Sequence, residues 1–282
     1  MACVFIVAIL APPSTLSEGT IIEGNVDGGG RAATINTHAH TGLITARDHL
    51  SVTGGGATCV SDGLRPSALL QNLVAYWPLE EGSGNARDRV GNNDLTRNGG
   101  VTRIAGIIGN AASLAASSSQ NFSIADNADL STGAVSYSFS CWAKIDDFGA
   151  PYAVFAKESG AGTIEYMLFS NPGVGFTFRI GNGGAITGSA SSASISTGRW
   201  YFVACYYDNT NGVVGISLNG SPFTTAAATA PGDSSVSFSI GSRVNTDLFL
   251  NGKVDEVRFW KSYVLSQADV TALYNSGRGM RF

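Results

Sequence analysis

Three kinds of residue in this sequence could do chemistry, and each is constrained by its spacing. Paired carboxylates can share acid and base roles only when both side chains reach one space, which on a strand means an i, i+2 relation. The acidic doublets here are Glu80-Glu81, Asp146-Asp147 and Asp255-Glu256. Adjacent strand residues point to opposite faces, so none of the three is expected to form a catalytic pair, and Asp146-Asp147 reads as a turn at a strand end. Histidines come next. His38, His40 and His49 lie within twelve residues of one another, and on a strand His38-x-His40 puts both imidazoles on one face. Two ligands cannot enclose a metal, but three chains around an axis would supply six nitrogens, an octahedral set for a transition metal. The alternative is a pair of polar residues on an exposed strand. The four cysteines, Cys3, Cys59, Cys141 and Cys205, are too scattered for a disulfide framework or a Cys-x-x-Cys metal site. Cys141 and Cys205 fall in apolar runs, where a buried thiol is expected.

The elements that must position such residues are strands. From Leu73 onward, apolar runs alternate with turn signals: Leu73–Leu79, Asn121–Ile124, Val135–Ile145, Tyr152–Ala156, Tyr166–Phe169, Gly175–Ile180, Arg199–Tyr207, Gly212–Leu218, Ser235–Ile240 and Gly252–Trp260. In the third of these, Val135, Tyr137, Phe139, Cys141, Ala143 and Ile145 share a face opposite mostly serines. Asn219-Gly220 fits a tight hairpin turn that needs positive φ. One helix is expected at Ser266–Tyr274, with Ser266 as N-cap and Asp269 completing a capping-box pattern. Many short strands without interleaved helices predict an all-β fold, an antiparallel two-sheet jelly-roll sandwich.

Composition sets the remaining bounds. Of 282 residues, 13% are charged and 44% apolar, with 36 glycines and a net charge of −4. The charged fraction is about half the usual quarter. No basic stripe is visible, which argues against binding nucleic acid through its phosphates. Low charge also gives weak protection against association. The sequence changes character near residue 70: before it the only aromatic residue is Phe5. Residues 1–70 therefore read as a Gly/Thr-rich, β-rich assembly or anchor region, and 71–282 as the main domain, with a short helical connector at Pro66–Leu73. Residues 1–10, MACVFIVAIL, are apolar but too short to span a bilayer, which takes about 20 residues. No Lys or Arg precedes Arg31, and Pro12 follows Ala11, so a cleavable export signal is a poor match. The segment is either a strand buried between copies or an unconventional signal.

Ordered motifs then carry a resemblance. Tyr76-Trp77-Pro78-Leu79-Glu80-Glu81-Gly82-Ser83-Gly84 with Asp88 and Gly91-Asn92-Asn93 comes first, followed by Phe139-Ser140-Cys141-Trp142-Ala143-Lys144 and Gly198-Arg199-Trp200-Tyr201-Phe202-Val203-Ala204. Leu218-Asn219-Gly220, Ile240-Gly241, Asn251-Gly252-Lys253-Val254-Asp255-Glu256-Val257-Arg258-Phe259-Trp260 and Leu265-Ser266 through Asn275 complete the set. Over about residues 73–278 the chain resembles laminin G-like, concanavalin A-like jelly-roll domains. That resemblance implies a binding or adhesion module, often for glycans. The Glu-x-Asp-x-x-Glu signature of the family's glycan-cleaving members is missing, so a glycoside hydrolase is the weaker expectation. The resemblance also implies a structural Ca²⁺, with Asp255, on a closing strand that pairs with the opening one, beside Glu80, Asp88 and Asn92 or Asn93. Against this stands a plain Asx-rich turn, with Asp255 paired to Arg258 or a backbone N–H. Glycan contacts are expected from loop residues Phe148, Tyr152, Asn182, Asn245 and Phe249, whereas Trp77, Trp142, Trp200 and Trp260 are expected to pack. Asn121-Phe122-Ser123 fits a glycosylation pattern. His-x-His elements resemble those of trimeric phage fibres and spikes. Together these readings predict a non-enzymatic homo-oligomer displaying a lectin-like domain on a virion surface, as a decoration, fibre or tail component. The alternative is a secreted or cell-surface carbohydrate-binding protein. Its partners would be copies of itself, through residues 1–70, and a glycan or surface ligand.

Overall fold

The computed structural model describes residues 69–282 except 161, 245 and 246, and the backbone of six short strands nearer the amino terminus. Those six pair as three antiparallel hairpins: β1 (Ile22–Gly24) with β2 (Ala33–Ile35), β3 (His38–His40) with β4 (Leu43–Thr45), and β5 (Ser51–Val52) with β6 (Cys59–Val60). His38 and His40 thus occupy the two ends of β3, while their side chains, like the apolar stretch 1–10, lie outside the described residues.

The unit Leu69–Phe282 is a jelly-roll sandwich. One sheet has the order β19 (Thr224–Ala227), β18 (Val213–Leu218), β17 (Trp200–Asp208), β12 (Tyr137–Ile145), β21 (Gly252–Lys261), β10 (Asn110–Leu114) and β9 (Thr102–Ala105), with β7 (Leu73–Trp77) also paired to β21. The facing sheet runs β16 (Ala185–Ser191), β15 (Gly175–Asn182), β14 (Ile164–Asn171), β13 (Tyr152–Glu158), β20 (Phe238–Ile240), β11 (Asn121–Ile124) and β8 (Thr96–Asn98). All these pairings are antiparallel.

The period-two alternation of β12 explains the packing. Tyr137, Phe139, Cys141, Ala143 and Ile145 all enter the core between the sheets, where Phe139 stacks on Phe155 and Phe259 at centroid distances of 4.4 and 4.3 Å. Trp77 stacks on Phe238 in the same core. The opposite face of β12 is covered as well. The helix α1 (Gln267–Tyr274) lays Val270 and Leu273 over Trp142, Phe202 and Trp260. Ser138 Oγ accepts the Leu265 N–H at 3.0 Å and donates to the Tyr263 carbonyl at 2.8 Å. The capping box on α1 is present in full, and Asn219 and Gly220 adopt the positive φ their turn requires (52° and 78°). Cys141 and Cys205 are free and buried, and loss of hydration pushes both thiols well above their ordinary range.

Candidate functional site

β12 and β21 are neighbours in register, Ile145 opposite Gly252, so the loop leaving one and the loop entering the other meet at the end of the sandwich. The Asp146 N–H donates to the Asn251 carbonyl at 3.0 Å, and Asp146 forms an ion pair with Lys253. Asp147 organises the rest. Its Oδ1 accepts the Tyr152 hydroxyl at 2.5 Å and the Gly149 N–H at 2.8 Å, and its Oδ2 accepts the Asn251 amide at 2.5 Å. These bonds hold the Asp147 carboxyl below its ordinary value, the Tyr152 bond contributing most. The same bond, with some burial, pushes the Tyr152 phenol up to about 12. Half-buried Phe148 packs at the core margin beside this cluster, and half-buried Phe249 sits on the facing loop. That loop runs along the outer side of β13: Ala153 N–H donates to the Leu248 carbonyl at 2.9 Å, and Leu248 packs on Ala153, Ala156 and Met167 with Phe169. Farther along, the Arg179 guanidinium lies 5.1 Å over the Phe169 ring and binds the buried Glu158, which also pairs with Arg243.

The loops that carry Phe148, Tyr152 and Phe249 therefore meet at one end of the sandwich. Asn182 is exposed at the far end of β15, beside Gly232, and does not join them; Asn245 lies outside the described residues. Asp147 was read only as part of a turn and Asn251 only as part of a motif, and Phe169, Arg179 and Arg243 were not singled out, because their juxtaposition depends on sheet order. Asn121 is buried and bonds Asn98, so the glycosylation pattern there is not presented to solvent.

The proposed calcium ligands fall into two separate groups. Asp88 has both oxygens filled by protein donors: Oδ1 takes the N–H groups of Tyr76 and Val90, each at 3.0 Å, and Oδ2 takes the N–H and side-chain amide of Asn93, each at 3.1 Å. Asn92 is exposed in the same loop. Glu80 and Asp255 instead grip the turn between β9 and β10. Glu80 accepts the Asn110 N–H at 3.0 Å, and Asp255 Oδ2 accepts those of Ile107 and Ile108 at 2.8 and 3.1 Å. Glycines at 106 and 109 make that close approach feasible, since a Cβ at either would collide with the gripping carboxylate. Among the described residues no three His, Cys, Asp or Glu side chains converge as a metal group. A hard cation wanting six to eight oxygens does not fit Asp255, Glu80, Asp88 and Asn92 as they stand.

Asp255 and Glu256 also depart from simple alternation. The β12–β21 register shifts between Ser140 and Trp142, and Glu256 adopts a φ of 55°. This is a β-bulge, which re-aims a side chain. Asp255 sits opposite Trp142, and Glu256 accepts the Tyr76 hydroxyl at 2.7 Å and pairs with Arg258. Trp142 and Tyr76 both belong to the cluster on the α1 side, so the two carboxylates share a face after all. Burial raises Asp255 to about 7 and also raises Glu256. Both residues are wholly shielded from solvent.

Two antiparallel sheets with α1 packed on one outer face define a jelly-roll scaffold. The chain belongs to the concanavalin A-like lectin/glucanases superfamily, whose model matches residues 116–271. No curated protein matches the chain. Solved structures with the same fold include the binding domain of Paraclostridial Mosquitocidal Protein 1 (TM-score 0.61, 15% identity, 74% of this chain and 53% of that one). Another is the botulinum neurotoxin serotype D binding domain (0.58, 15%, 74% and 52%). A third is botulinum neurotoxin type C, whose cell entry depends on interaction with two ganglioside molecules (0.59, 13%, 75% and 52%). The chain spans about half the length of these structures.

Proposed function

We propose that the jelly roll is a non-enzymatic glycan-binding module whose ligand lies against the loop end formed by Phe148, Tyr152 and Phe249. The observation that carries this is the Asp147–Tyr152–Asn251 cluster, in loops that also carry the half-buried Phe148 and Phe249. Rings offer stacking to a sugar face, and fixed polar groups beside them set orientation. The same electrostatics disfavour a general-acid role for Asp147 or Tyr152 at this end. Asp147, held ionised, has no proton to donate near neutrality, and Tyr152 with its raised pKa holds its own proton. Family membership supports the ligand class, as does the ganglioside interaction of the type C neurotoxin.

Residues 1–70 would gather copies of the module on a larger structure such as a phage virion, a reading that rests on their composition. A glycan array probed with the intact chain and with the Phe148→Ala/Phe249→Ala double variant tests the site. Binding should weaken about tenfold or more, the scale of one lost aromatic contact of about 1.5 kcal/mol. Unchanged binding by a folded double variant refutes it. Sedimentation of the intact chain beside one beginning at Leu69 tests assembly: the first should be multimeric and the second a monomer.

A further inference from the structure

Lys157 is wholly buried, whereas Lys144, Lys253 and Lys261 keep some exposure. Strand alternation accounts for the difference. Lys157 lies two residues beyond Phe155 on β13 and shares the side of the strand that Phe155 presents to the core. An ammonium in such a place needs partners to offset its lost hydration. Its Nζ lies 2.6 Å from Glu165 Oε2 and 2.9 Å from Asp126 Oδ1, and it also donates to the Ser234 carbonyl. One lysine is thus held against two carboxylates at bonding distance.

The two carboxylates are placed for different roles. A register shift between Lys157 and Glu158 leaves Glu165 as the extra residue of β14 and turns its carboxylate inward. Glu165 is fully buried and fixed by the N–H and hydroxyl groups of Thr132 and Ser234, four bonds of 2.6–3.1 Å. Asp126 follows β11, and Ser131 donates to its Oδ1 at 3.0 Å. Its side chain is 32% exposed and borders an open depression with Ser131 and Thr132, so a small leaving group has a way out to solvent. Burial pulls the Asp126 carboxyl upward, but the bonds from Lys157 and Ser131 outweigh it and hold it below its ordinary value. The pair therefore rests as ions. A buried ion pair carries a desolvation cost of several kcal/mol per ion, and condensation of the pair removes one charge of each sign from the interior. Thr132 and Ser234 continue to hold Glu165 afterwards.

We propose that Lys157 and Asp126 condense to an isopeptide bond, with Glu165 as the proton carrier. The ammonium passes one proton to Asp126 Oδ1 along the 2.9 Å contact, and its Nζ attacks Cγ. A second proton moves from Nζ to Glu165 Oε2 along the 2.6 Å contact as the N–C bond forms. The Cγ–Oδ1 bond then breaks, and the departing hydroxyl collects the Glu165 proton and leaves as water. Glu165 ends ionised and accepts the new amide N–H. The step is a condensation and needs no oxidant or co-reactant. Reactants fixed in this way behave as if present at roughly 10⁵–10⁸ M, which offsets the poor reactivity of an ionised carboxylate. The bond ties the segment after β11 to β13 across β20, which lies between them in the sheet, and closes a ring of chain that contains β12. It draws only on groups inside the sandwich and stands apart from the reading of the loop end.

The test is intact-protein mass spectrometry of the full chain under denaturing conditions, fresh and after prolonged storage. The folded protein should be lighter than its sequence requires by the mass of one water, and proteolysis should release a branched peptide joining Asp126 to Lys157. Asp126→Ala and Glu165→Gln should each keep the full mass, with circular dichroism to confirm folding; the part-exposed Asp126→Ala decides the matter should Glu165→Gln fold poorly. Asp126→Asn should lose ammonia instead of water and finish at the same mass as the parent protein, an outcome that a purely structural ion pair would not produce. Full mass in the folded, stored parent protein overturns the proposal. So does a water loss that maps to other residues or persists in Asp126→Ala.

Discussion

Asp255 makes the sandwich less stable as the solution becomes more alkaline, the reverse of an ordinary paired carboxylate. It is fully buried, its Oδ2 accepts two N–H bonds, and its Oδ1 has no partner. Loss of hydration dominates and lifts its pKa from 3.8 to about 7, with the nearby Glu256 charge adding to the rise and the Ile107 and Ile108 bonds opposing it. Between about pH 4, where an unfolded Asp releases its proton, and pH 7, the folded chain holds a proton that the unfolded chain has lost. The native state binds more protons there, so unfolding free energy falls as pH rises. At about 1.4 kcal/mol per tenfold, a rise of this size sets a ceiling of about 4 kcal/mol, and relaxation around the buried charge makes about 2 kcal/mol a fair expectation. Glu256 shifts in the same direction. Asp126 and Asp147, with lowered values, contribute stability that disappears only on the acid side, below about pH 4. Urea unfolding with EDTA present should therefore show stability highest near pH 5 and declining to pH 8. Asp255→Asn keeps a carbonyl for the two N–H groups and removes the titration. Its profile should be flatter by about 2 kcal/mol over that interval. Parallel profiles for the two proteins would refute the assignment.

Three other substitutions probe the framework. Lys157→Met leaves Glu165 and Asp126 without their cation and should cost about 3–5 kcal/mol, while adding Glu165→Gln should recover part of it; equal losses in single and double variants would deny the coupling. Phe139→Ala empties the centre of the Phe155–Phe139–Phe259 stack and should cost about 3–5 kcal/mol in denaturant midpoint analysis. Ser266→Ala removes the cap that receives the Asp269 N–H and should cost about 1 kcal/mol, seen as a small drop in Tm.

What could be read from the residues was whatever local chemistry dictates. The alternation of β12, the Asn219-Gly220 turn and the Ser266 cap all rest on neighbours a few positions apart, and all are present. The strands at Thr96–Asn98, Thr102–Ala105, Ala185–Ser191 and Thr224–Ala227 left no such trace. They are sheet edges, rich in exposed Thr, Ser and Ala, and an edge buries too little to impose a period. Loop aromatics Phe148, Tyr152 and Phe249 were recognisable by type. Their partner Asn251 was not, because its bond to Asp147 spans 104 positions and exists only where β12 lies beside β21. The Asp255–Glu256 bulge was hidden for a related reason: strand periodicity assumes that each residue advances the pleat, and Glu256 at φ 55° does not.

Burial also changes what the low charge content means. Lys157, Glu158, Glu165, Asp255, Glu256 and Arg258 are all fully buried, so an already small charged fraction of 13% is partly withdrawn into internal networks. The surface that remains is poorer still in charge, notably along β16 and β19, whose seven and four residues contain no charged side chain. Mixed surface charge is what keeps small domains apart. A domain that places its ions inside and shows Ser, Thr and Ala outside is suited to close contact with neutral, hydroxyl-rich surfaces or with neighbouring subunits.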